Sequence, residues 1–274
     1  MFTLNCNGKL LVIDKPLVMG IINATPDSFY EGSRFSGTDN IVTRAEQMIV
    51  EGADILDIGG QSTRPGSVPV SEEEELKRII PGIEAIHRNF PDAIISIDSY
   101  YAEVVRKSVQ AGASMVNDIS SGNADKRMMT TVAQLKTPYI AMHMKGTPAT
   151  MQQHASYENV MRDVLDFFIQ KKAECNEAGI YDVVLDPGFG FAKKIDQNFE
   201  VLKHLSALKI IEAPILVGLS RKSSVYKTLD ITANEALNGT TVLNTVAILN
   251  GADILRVHDV KEAKETLKLL SLLG

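Results

Sequence analysis

The sequence predicts an α/β fold, a (β/α)₈ TIM barrel formed by a single domain over residues 1–274, with a short β-hairpin at its N-terminus. Eight short apolar, β-branched runs recur along the chain, and a helical pattern follows each of them. Such alternation is typical of βαβ units in a parallel sheet. Eight units without a dinucleotide-binding glycine fingerprint favour a closed barrel over an open doubly wound sheet. The runs are residues 17–23, 53–59, 93–99, 114–120, 138–144, 182–187, 214–220 and 252–259.

The elements outside these runs have local signals of their own. Asn7-Gly8 lies between two short runs and suits the positive φ angles of a tight hairpin turn, so a hairpin is expected at the bottom of the barrel. Ser71 and Glu74 have capping-box spacing at the start of a helical stretch that reaches His87. A longer helical stretch runs over residues 157–178. No Pro/Ser-rich linker or solenoid-length repeat interrupts the pattern, which favours one domain.

Composition excludes several classes of protein. Hydrophobic residues make up 45% and charged residues 23%, which is ordinary for a globular chain with a core. A formal charge of −6 argues against nucleic acid or an anionic membrane as a partner, since both require a basic surface. The start of the sequence lacks a signal-peptide pattern and no run of about 18 apolar residues occurs, so a cytoplasmic location is expected. Cys6 and Cys175 are too few and too far apart to suggest a disulfide framework.

Polar or ionisable residues occur where nearly every predicted strand ends. The carboxyl ends of TIM-barrel strands converge on the catalytic face. Residues two apart in a strand share a face, which pairs Ser96 with Asp98 and Arg256 with His258 at one mouth. The strand-end residues are Asn23, Asp57, Asp98, Asn117, Asp118, His143, Asp186, Ser220, Arg256 and His258.

Taken singly, each of these residues is more simply explained as a cap, a turn or a satisfied buried polar group. Taken together they favour a site. Carboxylates, amides and cations gathered at one end of a barrel would cost several kcal/mol unless a polar ligand or water completed their hydrogen bonds.

Four loops add chemistry at the same end. Segments 23–33 and 59–67 are rich in Gly, Ser, Thr and Pro, as active-site lids are, although ordinary surface turns have the same composition. Segment 218–224 leads into a helical pattern whose N–H groups suit an anion, or simply a Ser N-cap. Segment 186–191 is by itself only a glycine-rich turn. The five histidines lack zinc-site spacing, so any metal should be an oxygen-bound Mg²⁺ that arrives with a phosphate.

In chain order these motifs resemble those of the dihydropteroate synthases, from Met19 through Val260. Some positions depart from the family pattern, namely Ala24, Tyr30-Glu31, Ser99 and Ala192, and they concern loop detail rather than the proposed polar groups. The matching stretches are MGIINATPDSF, DIGGQSTRPG, SIDS, VNDIS, MHMKG, TPATMQ, DPGFGFAK, GLSRKS, NGTTVLNT and GADILRVHDV.

The resemblance implies an enzyme of folate biosynthesis, a transferase that joins 7,8-dihydropterin-6-ylmethyl diphosphate to 4-aminobenzoate and releases pyrophosphate. Asp98, Asn117 and Asp186 match positions that accept hydrogen bonds from the pterin ring. Lys222 matches the lysine that donates to the ring, and Arg256 matches the arginine that stacks on it. Planarity and permanent charge suit arginine to that position.

The remaining subsites follow from the same resemblance. Asn23, Thr63, Arg256 and His258 match the pyrophosphate-binding positions, with Asn23 beside Mg²⁺, and Arg256, His258 and Lys222 are the expected catalytic residues. Charge on the leaving group would be stabilised as it forms, in a dissociative substitution. The resemblance also suggests a homodimer through outer helices near residues 228–250. The residues matching the 4-aminobenzoate pocket are Phe29, Arg64, Pro65, Phe191 and Ser223.

Two alternatives remain at this point. A pterin-binding methyltransferase domain would share the barrel and the carboxylates, but it has no need of the TPDSF and STRPG loops or of the RVHD end. An inactive pterin-binding barrel is the second alternative, because a fold alone does not prove activity.

Overall fold

The computed structural model describes residues 1–24, 37–62 and 69–273. Within them, eight parallel strands form a nearly closed barrel with sheet order β8-β7-β6-β5-β4-β3-β10-β9. A parallel bridge between Leu185 and Ile215 joins the two ends of this order, and the Leu185 N–H donates to the Pro214 carbonyl at 2.8 Å. The predicted TIM barrel is therefore confirmed. The strands are β1 Phe2–Cys6, β2 Lys9–Ile13, β3 Leu17–Asn23, β4 Ile55–Gly59, β5 Ile94–Asp98, β6 Met115–Asp118, β7 Tyr139–Met142, β8 Val183–Asp186, β9 Leu216–Val217 and β10 Ile254–Val257.

Helices follow the barrel strands on the outside of the sheet. The α-helices of the described residues are α1 Gly37–Val50, α2 Glu72–Asn89, α3 Ala102–Ala111, α4 Met128–Leu135, α5 Val160–Ala178, α6 Ile195–Lys203, α7 Ser223–Tyr226, α8 Leu237–Leu249 and α9 Val260–Leu270. Short 3₁₀ turns lie at Met151–His154, Leu205–Ile211 and Ala233–Glu235. None of the helices in the described ranges is long and apolar enough to cross a membrane.

The predicted hairpin is present and packs against the N-terminal end of the barrel. β1 and β2 pair antiparallel from Phe2–Ile13 to Cys6–Lys9, and the turn between them places Asn7 at φ 54° and Gly8 at φ 87°. Both angles are positive, as the Asn-Gly dipeptide predicts. The buried hairpin residues are Leu4, Cys6 and Ile13, which pack against Leu17, Met19, Ile55, Met115, Ile140, Val184, Leu216 and Ile254.

Strand alternation divides the core into two clusters. The inward residues of the first half of each strand are apolar and form the cluster beneath the barrel mouth, together with the hairpin. Their neighbours in sequence, such as Val18, Leu56 and Leu255, face the helices and belong to the larger cluster between sheet and helices. Positions two further along each strand from the inward apolar layer therefore line the mouth.

Two helix boundaries illustrate what local patterns predict. Ser71 caps α2, where its side chain accepts the Glu74 N–H at 3.2 Å. The predicted helix over 157–178 begins only at Val160, because the Asn159 side chain accepts the Arg162 N–H at 2.9 Å and acts as the N-cap. Tyr157 lies outside the helix and donates from its hydroxyl to the Ala192 carbonyl at 2.8 Å.

Candidate active site

An ion-pair cluster lies at the carboxyl ends of β4, β5, β6 and β10. Arg256 donates from Nε to Asp57 Oδ2 at 2.6 Å and from Nη2 to Asp98 Oδ2 at 2.7 Å. Asn117 donates from Nδ2 to the same Asp57 oxygen at 3.0 Å. The Asp57 side chain is fully buried, whereas those of Asp98 and Arg256 remain 13% and 18% exposed. The cluster is therefore anchored by a buried carboxylate, Asp57, while parts of the Asp98 and Arg256 side chains are accessible from the mouth.

The turn after β8 supplies the opposite side of the mouth. Asp186 is buried, and its Oδ1 accepts the Gly188 N–H at 2.8 Å, which fixes the carboxylate against the turn. Lys222 donates from Nζ to the Phe189 carbonyl and lies 4.7 Å above the centre of the Phe191 ring. A cation over an aromatic face is attracted by the negative potential of the ring.

Gly218 separates Lys222 from Arg256 where β9 ends. A Cβ at this position would lie 3.8 Å from Lys222 Nζ and 3.9 Å from the Arg256 Cβ. Two cationic side chains thus converge beside one another, with Asp57, Asp98 and Asp186 around them.

Burial alters the acid–base properties of these groups. Burial raises the pKa of Asp98, an effect that the Arg256 guanidinium opposes and the Asp57 carboxylate reinforces. Burial also raises the pKa of Asp186, while the charge of Lys222 opposes that shift. The pKa of Lys222 is lowered to about 8 by burial, and Asp186 acts in the other direction. Displaced pKa values in a cleft are typical of functional sites.

Several buried acceptors beneath the mouth have no hydrogen-bond donor among the described residues. They are Asp57 Oδ1, Asn117 Oδ1 and Ser96 Oγ, on three adjacent strands. Buried polar atoms are almost always paired in folded proteins. Their grouping indicates a layer suited to a polar ligand rich in N–H groups.

His258 lies two residues beyond Arg256 and is held by Ser220, which follows β9. Ser220 Oγ lies 3.0 Å from His258 Nδ1 and accepts the His258 N–H at 3.1 Å. The His258 carbonyl in turn accepts from Arg44 of α1 at 2.7 Å. These contacts fix the position of His258, one of the predicted strand-end residues, at the end of the barrel.

Of the other predicted site residues, three lie in the described part of the chain and four lie outside it. Asn23 is exposed at the end of β3, and Phe191 is partly buried beneath Lys222. Ser223 opens α7, which has only four residues, so the helix dipole expected there is short. Phe29, Thr63, Arg64 and Pro65 lie outside the described residues, as do most of the loops 23–33 and 59–67.

One predicted strand-end residue lies on the outer face of the barrel, as a period of two that places Met115 and Asn117 on the inner face predicts. Asp118 does not face the mouth, because it follows Asn117 in the strand and projects to the opposite face. Its Oδ2 accepts the Tyr139 hydroxyl at 2.8 Å and the Gly122 N–H at 2.7 Å, and its Oδ1 accepts from Ser120. It is a satisfied buried carboxylate of the outer layer.

Sequence reasoning also missed partners of the predicted residues. Asp57 was recognised only as a strand-end residue, although its spacing of two from the inward Ile55 was a signal for its position. Arg221 was not recognised at all. It forms a bidentate ion pair with Asp259 at 2.8 and 2.9 Å and thereby joins the segment before Lys222 to the segment after His258.

Fold and site together define a pterin-binding barrel enzyme. Residues 19–258 match the family model described as "Pterin binding enzyme". The chain is 42% identical over 265 residues to the dihydropteroate synthase of Escherichia coli K12, with coverage of 96% of this chain and 93% of the relative.

Two solved structures of Xanthomonas albilineans dihydropteroate synthase are also similar. One, with 4-aminobenzoic acid, has a TM-score of 0.93 at 36% identity and covers 99% of this chain and 97% of its own. The other, in complex with 7,8-dihydropteroate, has a TM-score of 0.90 at 35% identity and covers 99% and 98%. This chain belongs to the dihydropteroate synthase family, transferases of folate biosynthesis.

Proposed function

We propose that this chain condenses 7,8-dihydropterin-6-ylmethyl diphosphate with 4-aminobenzoate to give 7,8-dihydropteroate and pyrophosphate. The observation that carries the proposal is the mouth itself, where three carboxylates and the Asn117 amide surround two cations, Arg256 and Lys222. The similar Xanthomonas albilineans enzyme has been solved both with 4-aminobenzoic acid and with 7,8-dihydropteroate.

Asp98, Asn117 and Asp186 are the proposed acceptors for the N–H groups of the pterin. Asp186 is well suited to this role, because within the described part of the chain the Gly188 N–H, at 2.8 Å, occupies only its Oδ1. Lys222 is the proposed donor to the ring, and burial keeps its pKa near 8. Arg256 would stack on the ring, since two carboxylates hold its guanidinium plane.

The pyrophosphate end is assigned to Asn23, Thr63, Arg256 and His258. Arg256 and His258 share the inward face of β10 and its continuation, so both can stabilise negative charge on the departing group. Thr63 lies outside the described residues and stays a prediction from the sequence.

Magnesium fits this end on the chemistry of its donors. No cluster of three His, Cys, Asp or Glu side chains suited to a metal occurs in the described ranges, and Asn23 presents an exposed amide there. An amide oxygen and phosphate oxygens are ligands that Mg²⁺ accepts without an all-protein cage. When bound, the ion would supply charge stabilisation for the leaving pyrophosphate.

The proposed 4-aminobenzoate pocket combines Phe191 and Ser223 with Phe29, Arg64 and Pro65, of which the last three lie outside the described residues.

The proposed reaction is a dissociative substitution. The reduced pterin supports positive charge at its exocyclic methylene as the bond to pyrophosphate breaks, and the neutral aryl amine then attacks. Positioning and electrostatics carry most of the catalysis in such a reaction, and a strong general base is unnecessary.

One assay tests the proposed function. Purified protein is incubated with Mg²⁺, the dihydropterin diphosphate and 4-aminobenzoate, and pyrophosphate and dihydropteroate are both quantified. Equal formation of the two products is expected. Pterin binding without either product would support an inactive pterin-binding barrel instead. Transfer of a methyl group from a methylated reduced pterin, without condensation, would support a methyltransferase domain.

We also propose a homodimer through residues 228–250. The surface of α8 supports it, because that helix carries no charged residue and exposes Val242 and Leu249 by 53% and 68%. Leu229, which also lies within residues 228–250, is 51% exposed. Helices that are apolar on more than one face usually have a partner on each.

A cytoplasmic location also remains a proposal, supported by two buried free thiols, Cys6 and Cys175.

A further inference from the structure

A buried lysine lies behind the turn that holds Asp186. Lys193 is only 3% exposed, and its Nζ lies 2.9 Å from Nδ1 of His143, which is also 3% exposed. The same nitrogen donates to the carbonyls of Gly188 at 3.1 Å and Phe191 at 3.3 Å, and lies 3.4 Å from the carbonyl of His143. Four acceptors from two segments thus surround one amine.

This arrangement compensates for the burial of the amine. Removing an ammonium from water is costly unless its hydrogen bonds are replaced. Burial lowers the pKa of Lys193 to about 7, while the charge of Asp186 acts in the opposite direction. Burial also lowers the pKa of His143 to about 2, with the charge of Lys193 as a further cause, so the imidazole is a neutral acceptor.

The amine also joins segments that approach each other very closely. Gly188 has φ +70°, and a Cβ at this position would lie 2.1 Å from the His143 carbonyl oxygen. The Gly188 and His143 carbonyl oxygens both face Lys193 Nζ. Two carbonyl dipoles directed into one buried space repel unless a donor lies between them. Lys193 therefore stabilises the contact between the end of β7 and the turn.

The opposite side of the same turn holds Lys222. The Phe189 carbonyl accepts from Lys222 Nζ, and the Phe191 ring lies beneath it at 4.7 Å. Lys193 binds the carbonyl of Gly188, which precedes Phe189, and that of Phe191, which lies two residues after it. The two lysines thus bind different carbonyls of the same short segment, Lys193 those of Gly188 and Phe191 and Lys222 that of Phe189.

We infer that Lys193 is a positioning residue for the pterin site: through the turn 186–191 it sets the places of Lys222 Nζ and of the Asp186 carboxylate. Lys193 itself is behind the turn and does not touch the substrate. The expected kinetic effect rests on the proposed function. The expected effect on the positions of Lys222 and Asp186 does not, because it concerns only contacts within this chain.

The test compares Lys193→Met with Lys171→Met. Lys171 is 7% exposed on α5, where it pairs with Glu174, so its replacement controls for loss of a largely buried amine away from the mouth. With ¹³Cε-labelled lysine, the Lys222 resonance is assigned by its absence from Lys222→Met. We expect Lys193→Met to lower the pKa of that resonance, because Lys222 moves away from the Asp186 carboxylate, whereas loss of the neighbouring Lys193 charge alone would raise it. Lys171→Met should leave it unchanged.

Kinetics supply the second measurement. Lys193→Met should raise KM for the dihydropterin diphosphate and lower kcat, with kcat/KM reduced at least ~10-fold, because misplaced groups lose transition-state contacts. In Lys193→Ala, ethylammonium should restore part of the activity by refilling the cavity, and ethanol should not. If Lys193→Met does not fold, His143→Phe replaces it, since that change removes the Nδ1 acceptor but keeps a ring against Phe167.

An unchanged or raised Lys222 pKa in a folded Lys193→Met protein would overturn the inference, as would kinetics equal to those of Lys171→Met. Absence of rescue in folded Lys193→Ala would also count against it. If the wild-type protein forms no dihydropteroate, the proposed function fails, but the resonance comparison still decides the positioning role.

Discussion

Arg256 of β10 and Asp57 of β4 form a hydrogen bond of 2.6 Å although 199 residues separate them in the chain. The Asp57 carboxylate is fully buried and the Arg256 side chain is 18% exposed. The buried carboxylate therefore holds the charged, planar guanidinium in a fixed orientation at the mouth. Asp98 holds a second nitrogen of the same guanidinium at 2.7 Å. This geometry makes the orientation of Arg256, and not only its charge, testable.

Replacing Arg256 should lower kcat more than it raises KM. Arg256→Ala is expected to reduce kcat by roughly 10²-fold, the effect of removing one preorganised charge-stabilising group. Arg256→Lys keeps the charge but cannot bridge Asp57 and Asp98 in a plane, so it should recover only part of the rate. Steady-state kinetics check this. Normal kcat with a raised KM alone would show that the contact binds substrate and transition state equally.

His258 should behave like Arg256 if both stabilise the leaving group. His258→Ala is expected to lower kcat by a similar factor of roughly 10². Ser220→Ala is the matched variant, because it removes the hydroxyl 3.0 Å from His258 Nδ1 while leaving the ring in place. It should give a smaller loss of kcat in the same assay. A larger loss from Ser220→Ala would mean that His258 is not the group that matters.

Replacing Asp186 should weaken pterin binding. Asp186→Ala removes a buried acceptor, and the affinity for a pterin should fall by roughly 2–5 kcal/mol, as on breaking a buried charge-assisted contact. Asp186→Asn keeps the side-chain size and an acceptor for the Gly188 N–H, so its fold should survive while its affinity still falls. Calorimetric titration measures both. Unchanged affinity would remove Asp186 from the site.

The order of bond breaking can be observed without the amine. If pyrophosphate leaves before 4-aminobenzoate attacks, the wild-type protein with Mg²⁺ and the dihydropterin diphosphate alone should release pyrophosphate slowly. The release should fall in Arg256→Ala, because the charge on the leaving group would then be less stabilised. Complete absence of release until the amine is added would favour a concerted displacement.

Glu75 should make stability depend on pH. Burial raises its pKa to about 8 from 4.5, and the charge of Asp98 adds to this, while the Ser99 hydroxyl, which donates to Oε2 at 3.2 Å, opposes it. A raised folded-state pKa gives stability that is fully present below 4.5 and is lost as pH rises through about 8. The Tm of Glu75→Gln relative to wild type should therefore rise between pH 5 and 8. Glu84→Gln, exposed on the same helix, is the matched control.

If α8 forms the proposed dimer interface, a charged residue on its surface should dissociate the dimer. Val242→Glu should convert the protein to monomers in analytical ultracentrifugation, because a buried unpaired carboxylate at an interface is costly. Ile169→Glu, 54% exposed on α5, is the matched control and should leave the mass unchanged. A wild-type protein that sediments as a monomer would refute the proposed interface.

The sequence alone determined the barrel and the identity of most of the polar residues at its mouth. Alternation of apolar strands and helices is a local property, and a period of two within a strand fixes which residues share a face. These local patterns therefore predict that Asp98, Asn117, Asp186 and Arg256 lie at the mouth, which is where the structure has them. Family motifs, not periodicity, assigned each of them a role. Those roles and the single domain over 1–274 remain predictions.

Only the tertiary structure decided the partners. Closure of the barrel brings β10 against β3, one strand away from β4, and this places Arg256 beside Asp57. Packing of neighbouring segments also supplies Tyr139 as the partner of Asp118 and buries Lys193 against His143. Burial and long-range pairing depend on which strands and turns become neighbours. No local pattern contains that information, because the interacting groups come from distant segments and their energies arise from the water that folding removes.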